Sequence, residues 1–285
     1  MVQPATAPAM ATPLVSVVVP TFDCAGTLPA TLASLSAQVE RDFEVVVSDG
    51  GSRDGTVEAA GAAASGLPAL TVLSRPDRGV YDAINQGIAV ARGTWVLVLG
   101  GDDRLHASDT LRRATACLRA SAADIVYGDV RVMSANRMGV PPGGRYAGPM
   151  PLARLLRGNI CQQAIFYRRE LFTRLGPFDI GYPVLADWEF NLRVGLRGKL
   201  EWIDLVVADY AGDGISAQRT DPAATLGVPE MVRQELASRG ADRSLWPHQR
   251  ILLRQADVLR RHGHWRAAGR QIATYLHLRW QRLML

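Results

Sequence analysis

Trp95-Val96-Leu97-Val98-Leu99-Gly100-Gly101-Asp102-Asp103 is the stretch whose reading decides the fold. An unbroken apolar run reads as a strand buried on both faces, and the glycines and carboxylates that follow read as the loop at its end. Two adjacent carboxylates leaving a buried strand repel each other unless water reaches them or a cation lies between them. Hard oxygen ligands favour Mg²⁺ or Mn²⁺, ions that keep positions open for a phosphorylated substrate. A solvated turn is the alternative, because glycine and aspartate are also good turn formers.

The segments before this stretch repeat one pattern. Residues 15–19 are a β-branched run closed by Pro20, hence a short buried strand. Residues 27–38 put Leu28, Leu32 and Leu35 on one helical face. A second strand over residues 43–47 ends in Ser48-Asp49-Gly50-Gly51-Ser52, and Asp54-Gly55-Thr56 opens an alanine-rich helix. Residues 70–73 form a third strand and 81–92 a third helix, with Gly93 at its stop. Strand alternating with helix predicts an α/β fold, a largely parallel sheet flanked by helices. Ligands of such sheets bind beyond the carboxyl ends of the strands, where this chain carries Asp23, Asp49, Asp77, Asp102 and Asp103. Neither Gly-x-Gly-x-x-Gly nor Gly-x-x-x-x-Gly-Lys follows the first strand, which removes most support for dehydrogenases and P-loop enzymes.

Four motifs in order, Val17-Val18-Val19-Pro20-Thr21-Phe22-Asp23, Val47-Ser48-Asp49-Gly50-Gly51-Ser52-Arg53-Asp54-Gly55-Thr56, Asp77-Arg78-Gly79-Val80-Tyr81-Asp82-Ala83-Ile84-Asn85 and Leu99-Gly100-Gly101-Asp102-Asp103, resemble family 2 glycosyltransferases of the GT-A fold. The likeness is greatest to bacterial members that build exopolysaccharide, capsule or glycolipid, and it covers residues 15–214. It implies inverting transfer of a sugar from a nucleotide-diphosphate donor, UDP by default, to a hydroxyl of a glycan or lipid-linked acceptor, assisted by Mg²⁺ or Mn²⁺. By position, Pro20, Thr21, Phe22, Asp23 and Asp49 would hold the nucleotide. Asp103 would contact the metal, with Gly101 and Asp102 beside the ribose or donor sugar. The family often has Asn where Asp23 stands, and some members have a second Asp where Gly50 stands.

Asp82 and Asn85 lie three apart on a helix and share a face that could reach sugar hydroxyls, helix capping being the other reading of Asp82. Arg75 is a candidate phosphate ligand, or a solvated loop cation. In the second half, residues 123–132 read as a strand with Asp129 at its end, and 138–149 as a Gly/Pro-rich loop, either a donor-covering flap or plain surface. Residues 159–169 resemble the strand on which the family commonly carries His-Gln, and Gln162 replaces that His. Gln163 and Trp188 are acceptor-side candidates. By position the resemblance puts the family's catalytic base at Asp187, near the start of a helix whose apolar side carries Phe190 and Leu192, a helix cap being the other reading of that residue. Gly214, Ser216 and Arg219 sit in a segment that resembles the loop that often follows.

Composition sets the limits. A chain of 285 residues, 48% of them hydrophobic, can bury one large core plus a small second unit. No apolar run is long enough to span a bilayer. Residues 1–13 read as a disordered tail without a signal peptide's apolar core, 14–220 as the catalytic domain and 221–285 as a helical region. Three scattered cysteines fit reduced thiols, and the expected location is cytoplasmic, with peripheral attachment to the inner face of the membrane as an extension. The net charge of +5 concentrates at the end: residues 231–285 hold eleven arginines against Glu235, Asp242 and Asp257. This segment reads as two helices, over residues 251–262 and 265–285, either docked on the domain or lying on anionic lipid; no nucleic-acid partner is expected. Two rival functions stay open: a sugar-phosphate nucleotidyltransferase, which lacks its Gly-rich basic signature here, and a catalytically lapsed scaffold.

Overall fold

The computed structural model describes residues 12–134, 139–146, 148–212, 221–239 and 242–284. Residues 1–11 of the expected tail, and the candidates Gly214, Ser216 and Arg219, lie outside them. The first half alternates as the sequence predicts: β1 (Val15–Thr21), α1 (Leu28–Ser36), β2 (Phe43–Asp49), α2 (Thr56–Ala62), β3 (Leu70–Ser74), α3 (Val80–Val90) and β4 (Trp95–Val98). The second half adds β5 (Arg104–Leu105), α4 (Thr110–Ala120), β6 (Ile125–Val132), β7 (Arg145–Tyr146), α5 (Leu152–Leu155), β8 (Ile165–Arg168), α6 (Glu170–Arg174), α7 (Ala186–Arg197) and β9 (Leu200–Tyr210).

The strands join in one sheet, ordered β3-β2-β1-β4-β8-β6-β9-β5, with β7 on the side of β6. β3, β2, β1 and β4 run parallel, whereas β8 is antiparallel to both neighbours, so the whole sheet is mixed. The apolar runs are continuous because each face of the sheet is covered. Val15, Val17, Val19, Val45, Val47 and Leu97 pack in one core, while Val18, Val46, Val96 and Val98 point into the other.

Several expectations change in detail. α3 ends at Val90 and Ala91 is already extended, so Gly93 is not its stop. Gly93 instead lets β1 pass close by, since a Cβ there would sit 2.5 Å from the Ser16 nitrogen. Asp129 does not end its strand: β6 continues to Val132, and the Asp129 carboxylate is buried against Arg145 of β7. That pairing also turns part of the Gly/Pro-rich stretch into sheet. Gln162 and Gln163 lie on a 3-10 turn, Gln162–Ala164, before β8 rather than on the strand itself.

Among the described residues that follow are the α-helices α8 (Pro222–Ser238), α9 (Ile251–Arg261) and α10 (Trp265–Met284). Val228, Val232, Leu236, Leu252 and Leu278 join the same core as Tyr167 of β8 and Phe190 of α7. Arg197 of α7 grips Glu235 of α8 through two hydrogen bonds of 3.0 and 2.7 Å. The helices therefore dock on the α/β layer, and no helix among the described residues is long and apolar enough to cross a membrane.

Candidate active site

The carboxyl ends of β1 and β4 open into a cleft of about 880 Å³. Pro20, Thr21, Phe22 and Asp23 line it from the β1 loop, Gly101, Asp102 and Asp103 from the β4 loop, and Gln162 and Gln163 from the 3-10 turn. Parallel strands place their carboxyl ends side by side, so loops distant in sequence converge there.

Gly100 holds the two carboxylates together. A Cβ at that residue would lie 2.7 Å from an Asp102 oxygen and 2.8 Å from an Asp103 oxygen, so any larger residue displaces them. Burial raises the Asp103 carboxyl to about 7, and the neighbouring Asp102 charge adds to it, against hydrogen bonds from the Ala211 amide and the Gln163 side chain. A desolvated carboxylate beside a second one is an all-oxygen, electron-rich donor set, which fits a hard divalent cation. Among the described residues no three His, Cys, Asp or Glu side chains converge, so a cation here would complete its shell with substrate oxygens and water.

Asp49 ends β2 inside a web of its own loop. It accepts from Thr21 Oγ1 at 3.1 Å, Ser74 Oγ at 2.7 Å and the amides of Gly51 and Ser52 at 3.0 Å, and also from Ser52 Oγ. Burial pushes its carboxyl up, but these donors together hold it below the usual range. Asp49 thus shapes the turn and does not line the cleft. Phe22, by contrast, is 66% exposed on the cleft wall. Asp23 takes a left-handed φ of 47° and accepts from the Arg53 amide at 3.0 Å, stitching the β1 loop to the β2 loop.

The structure supplies a carboxylate at the place where some relatives carry a second aspartate. Asp77 Oδ2 lies 2.5 Å from where a Gly50 Cβ would be, and Asp77 lines the cleft. Sequence comparison along the β2 loop misses this, because the residue comes from the loop after β3.

Asp187 is the second residue of α7, inside the helix rather than at its cap, which is Leu185. One carboxylate oxygen accepts from Tyr81 Oη at 2.9 Å and the Trp188 amide at 2.8 Å; the other accepts from Asn159 Nδ2 at 2.7 Å. Asn159 is itself fixed, because its Oδ1 accepts from Asn191 Nδ2 and the Ile160 amide. Burial raises the Asp187 carboxyl to about 6, against these donors. Tyr81 Oη also lies 3.0 Å from the Val184 carbonyl. The hydroxyl can donate to the ionised carboxylate, or accept from the protonated acid while donating to that carbonyl, so both protonation states of Asp187 are satisfied. Tyr81 and Val184 line the cleft; Asp187 itself is buried and is not among the lining residues, and its link to the cleft is the Tyr81 hydroxyl.

Other candidates are placed elsewhere. Asp82 bonds the Arg78 amide and guanidinium, a local helix-start contact. Asn85 exchanges hydrogen bonds with the Phe178 backbone, tying α3 to the segment before α7. Arg75 donates to Gln86, and Trp188 donates to the Leu155 carbonyl while packing on the core. None of the four lines the cleft. Gln163 reaches it and bonds Asp103. Gln162 does so differently: its Nε2 is buried on the cleft lining with no hydrogen-bond partner among the described residues.

A parallel half-sheet whose strand ends open into a cleft with a carboxylate pair at the end of β4 is the arrangement of an α/β enzyme that binds its ligand beyond the carboxyl ends of the strands. Comparison with known proteins makes this specific. The model of the family described as "Glycosyl transferase family 2" matches residues 16–176, and the chain belongs to that family. A PGL/p-HBAD biosynthesis glycosyltransferase of Mycobacterium tuberculosis is 45% identical over 206 residues, covering 70% of this chain and 78% of that protein. The chondroitin synthase of Pasteurella multocida is 26% identical over 73% of this chain and 22% of its own length. Among solved structures, Staphylococcus aureus TarS in complex with UDP-GlcNAc has a TM-score of 0.64 at 19% identity, covering 92% of this chain and 81% of that one. A mannosyltransferase of Pyrobaculum calidifontis with GDP-Man and Mn²⁺ has a TM-score of 0.54 at 21% identity, over 94% and 76%. The protein is a glycosyltransferase with the GT-A fold.

Proposed function

We propose that the protein transfers a sugar, with inversion at the anomeric carbon, from a UDP-sugar to a hydroxyl of a glycan or lipid-linked acceptor, with Asp187 as general base. The observation that carries this is the Asp187 carboxylate, held by three donors, raised to about 6 and linked through the Tyr81 hydroxyl to the cleft that bears Asp102 and Asp103. A base poised near neutral pH accepts a hydroxyl proton far better than a solvated carboxylate, and one face for the base with the opposite face for the leaving group is the arrangement of an inverting displacement. Tyr81 and Asn159 orient that base, and after the transfer Tyr81 accepts a hydrogen bond from it.

Phe22 offers the uracil a stacking face and Asp77, over Gly50, a hydrogen-bond acceptor for its ring N–H. Asp103 would hold Mg²⁺ or Mn²⁺, with Asp102 turned to the ribose or donor sugar and Gln163 orienting Asp103. A bound divalent ion supplies Lewis-acid stabilisation of the charge that develops on the leaving diphosphate. Two findings about similar proteins support the donor and the metal: TarS was solved with UDP-GlcNAc, and the Pyrobaculum enzyme with GDP-Man and Mn²⁺.

The test is a panel of UDP- and GDP-sugars with Mn²⁺, Mg²⁺ or a chelator, read by release of nucleoside diphosphate and by proton NMR of the glycosidic product. Inverted configuration from a UDP-sugar, lost on chelation, is the expected result. Retained configuration would overturn the mechanism, and transfer from GDP-sugars alone would overturn the donor.

A further inference from the structure

We propose that α10 binds the surface of an anionic bilayer, lying in its plane with a phosphate headgroup in the basic cavity at the helix's carboxyl end. Docking on α8 and α9 uses only one face of α10, where Ala268, Gln271 and Leu278 are buried. The opposite face carries Trp265, Ile272, Leu276, Trp280 and Leu283, exposed by 68, 37, 56, 57 and 78%. Successive spacings of seven, four, four and three residues put all five on one stripe. At 1.5 Å per residue that stripe runs about 27 Å, the scale of a small domain's footprint. Isolated exposed apolar residues need no explanation, but a continuous stripe on one helix that includes two exposed tryptophans does.

Charge decides which occupant the stripe fits. Between residues 258 and 285 there is no aspartate or glutamate, whereas Arg260, Arg261, Arg266, Arg270, Arg279 and Arg282 all fall there. Arg279 flanks the stripe on one side and Arg266 and Arg270 on the other, and neither Arg266 nor Arg279 has an acidic partner among the described residues. Apolar residues and tryptophan on one line, flanked by arginines of which, among the described residues, only Arg270 meets an acid, Glu230 of α8, match a lipid interface rather than a protein partner of mixed charge.

An independent feature points the same way. A cavity of about 530 Å³ opens beside the stripe, lined by Arg250, Arg279 and Arg282 together with Trp246, Tyr275 and Leu283. Leu283 belongs to both the stripe and the cavity, so a helix seated with its stripe against the acyl layer would hold the three guanidinium groups at the level of the phosphate headgroups. The surface stands apart from the sugar-nucleotide cleft, and the proposal does not depend on the activity of that cleft.

The experiment is co-sedimentation of the full chain with vesicles of pure phosphatidylcholine or with 30% phosphatidylglycerol added, at low and high salt. The variants are Leu276→Glu with Trp280→Glu, and Arg250→Ala with Arg279→Ala. These residues contribute little to the buried core, and an unchanged melting temperature confirms that each variant is folded. Expected are binding to the anionic vesicles, a fall of about tenfold or more at high salt as screening shortens, loss in the apolar variant, and weakening in the arginine variant. Inorganic phosphate at millimolar concentration should not displace the protein. Absence of vesicle binding, equal binding to neutral vesicles, unchanged binding in the apolar variant, displacement by phosphate, or a dimer dissolved by the same substitutions would each overturn the proposal.

Discussion

Replacing Asp187 with Asn separates chemistry from architecture, because the structure allows both consequences to be worked out. Raising a buried carboxyl from 3.8 to about 6 corresponds to roughly 3 kcal/mol of unfavourable charge burial at neutral pH, which the amide removes. Against this, the new NH₂ must face a donor. Asn159 Nδ2 cannot turn away, since its amide is fixed by Asn191 and the Ile160 backbone, and one mismatched buried pair costs about 1–3 kcal/mol. The two effects nearly cancel, so Asp187→Asn should melt within a few degrees of the parent and bind UDP equally well. Catalysis has no such compensation. Loss of a positioned base removes about 10²- to 10⁴-fold, so kcat should fall at least a hundredfold. The parent's kcat should rise with pH through about 6 and level off above it, since the base must be ionised. The assay is nucleoside diphosphate release in the presence of acceptor, with calorimetric UDP binding and melting temperature measured on the same samples. A variant that keeps more than about a tenth of the parent kcat with the same pH profile refutes the assignment of Asp187.

Tyr81→Phe removes a donor from the ionised Asp187, so the acid limb of the pH–kcat profile should move to higher pH; an unmoved limb would make Tyr81 merely structural. Asp103 is raised to about 7, so the folded protein keeps a proton there that the unfolded chain has already lost. In chelator, the contribution of Asp103 to stability should therefore be largest below about pH 4, decline by up to about 4 kcal/mol between about pH 4 and pH 7, and level off above that, a component that Asp103→Asn should lack in thermal melts. Gln162→Leu removes a buried donor with no partner among the described residues, so melting temperature should hold or rise while kcat/KM drops about tenfold if that donor serves substrate. Gly50→Ala would drive a methyl into Asp77 and Phe22, and should raise the Kd for UDP in titration with little change in Tm.

The sequence by itself determined the first half of the fold and the chemistry of its loops. Val15 to Val98 alternates strand and helix because local periodicity and glycine-rich breaks are properties of short stretches, and these need no distant partner to be read. The Gly100-Gly101-Asp102-Asp103 segment was legible for the same reason, as were the family motifs that identify the enzyme class. Tertiary structure decided which of those residues meet. Asp49 and Asn85 stand in motif positions, yet their polar atoms are consumed by neighbouring loops, since a side chain's hydrogen-bond partners depend on what packs against it from elsewhere in the chain. Asp77 reaches the space above Gly50 only because β2 and β3 are adjacent in the sheet. The clamp on Asp187 joins Tyr81 of α3, Asn159 of the loop before the 3-10 turn and α7, residues separated by up to 106 positions. The C-terminal hairpin shows the same division: its cationic, apolar composition was plain in the sequence, but only packing assigns Leu278 to the core and leaves Trp265, Leu276 and Trp280 facing outward.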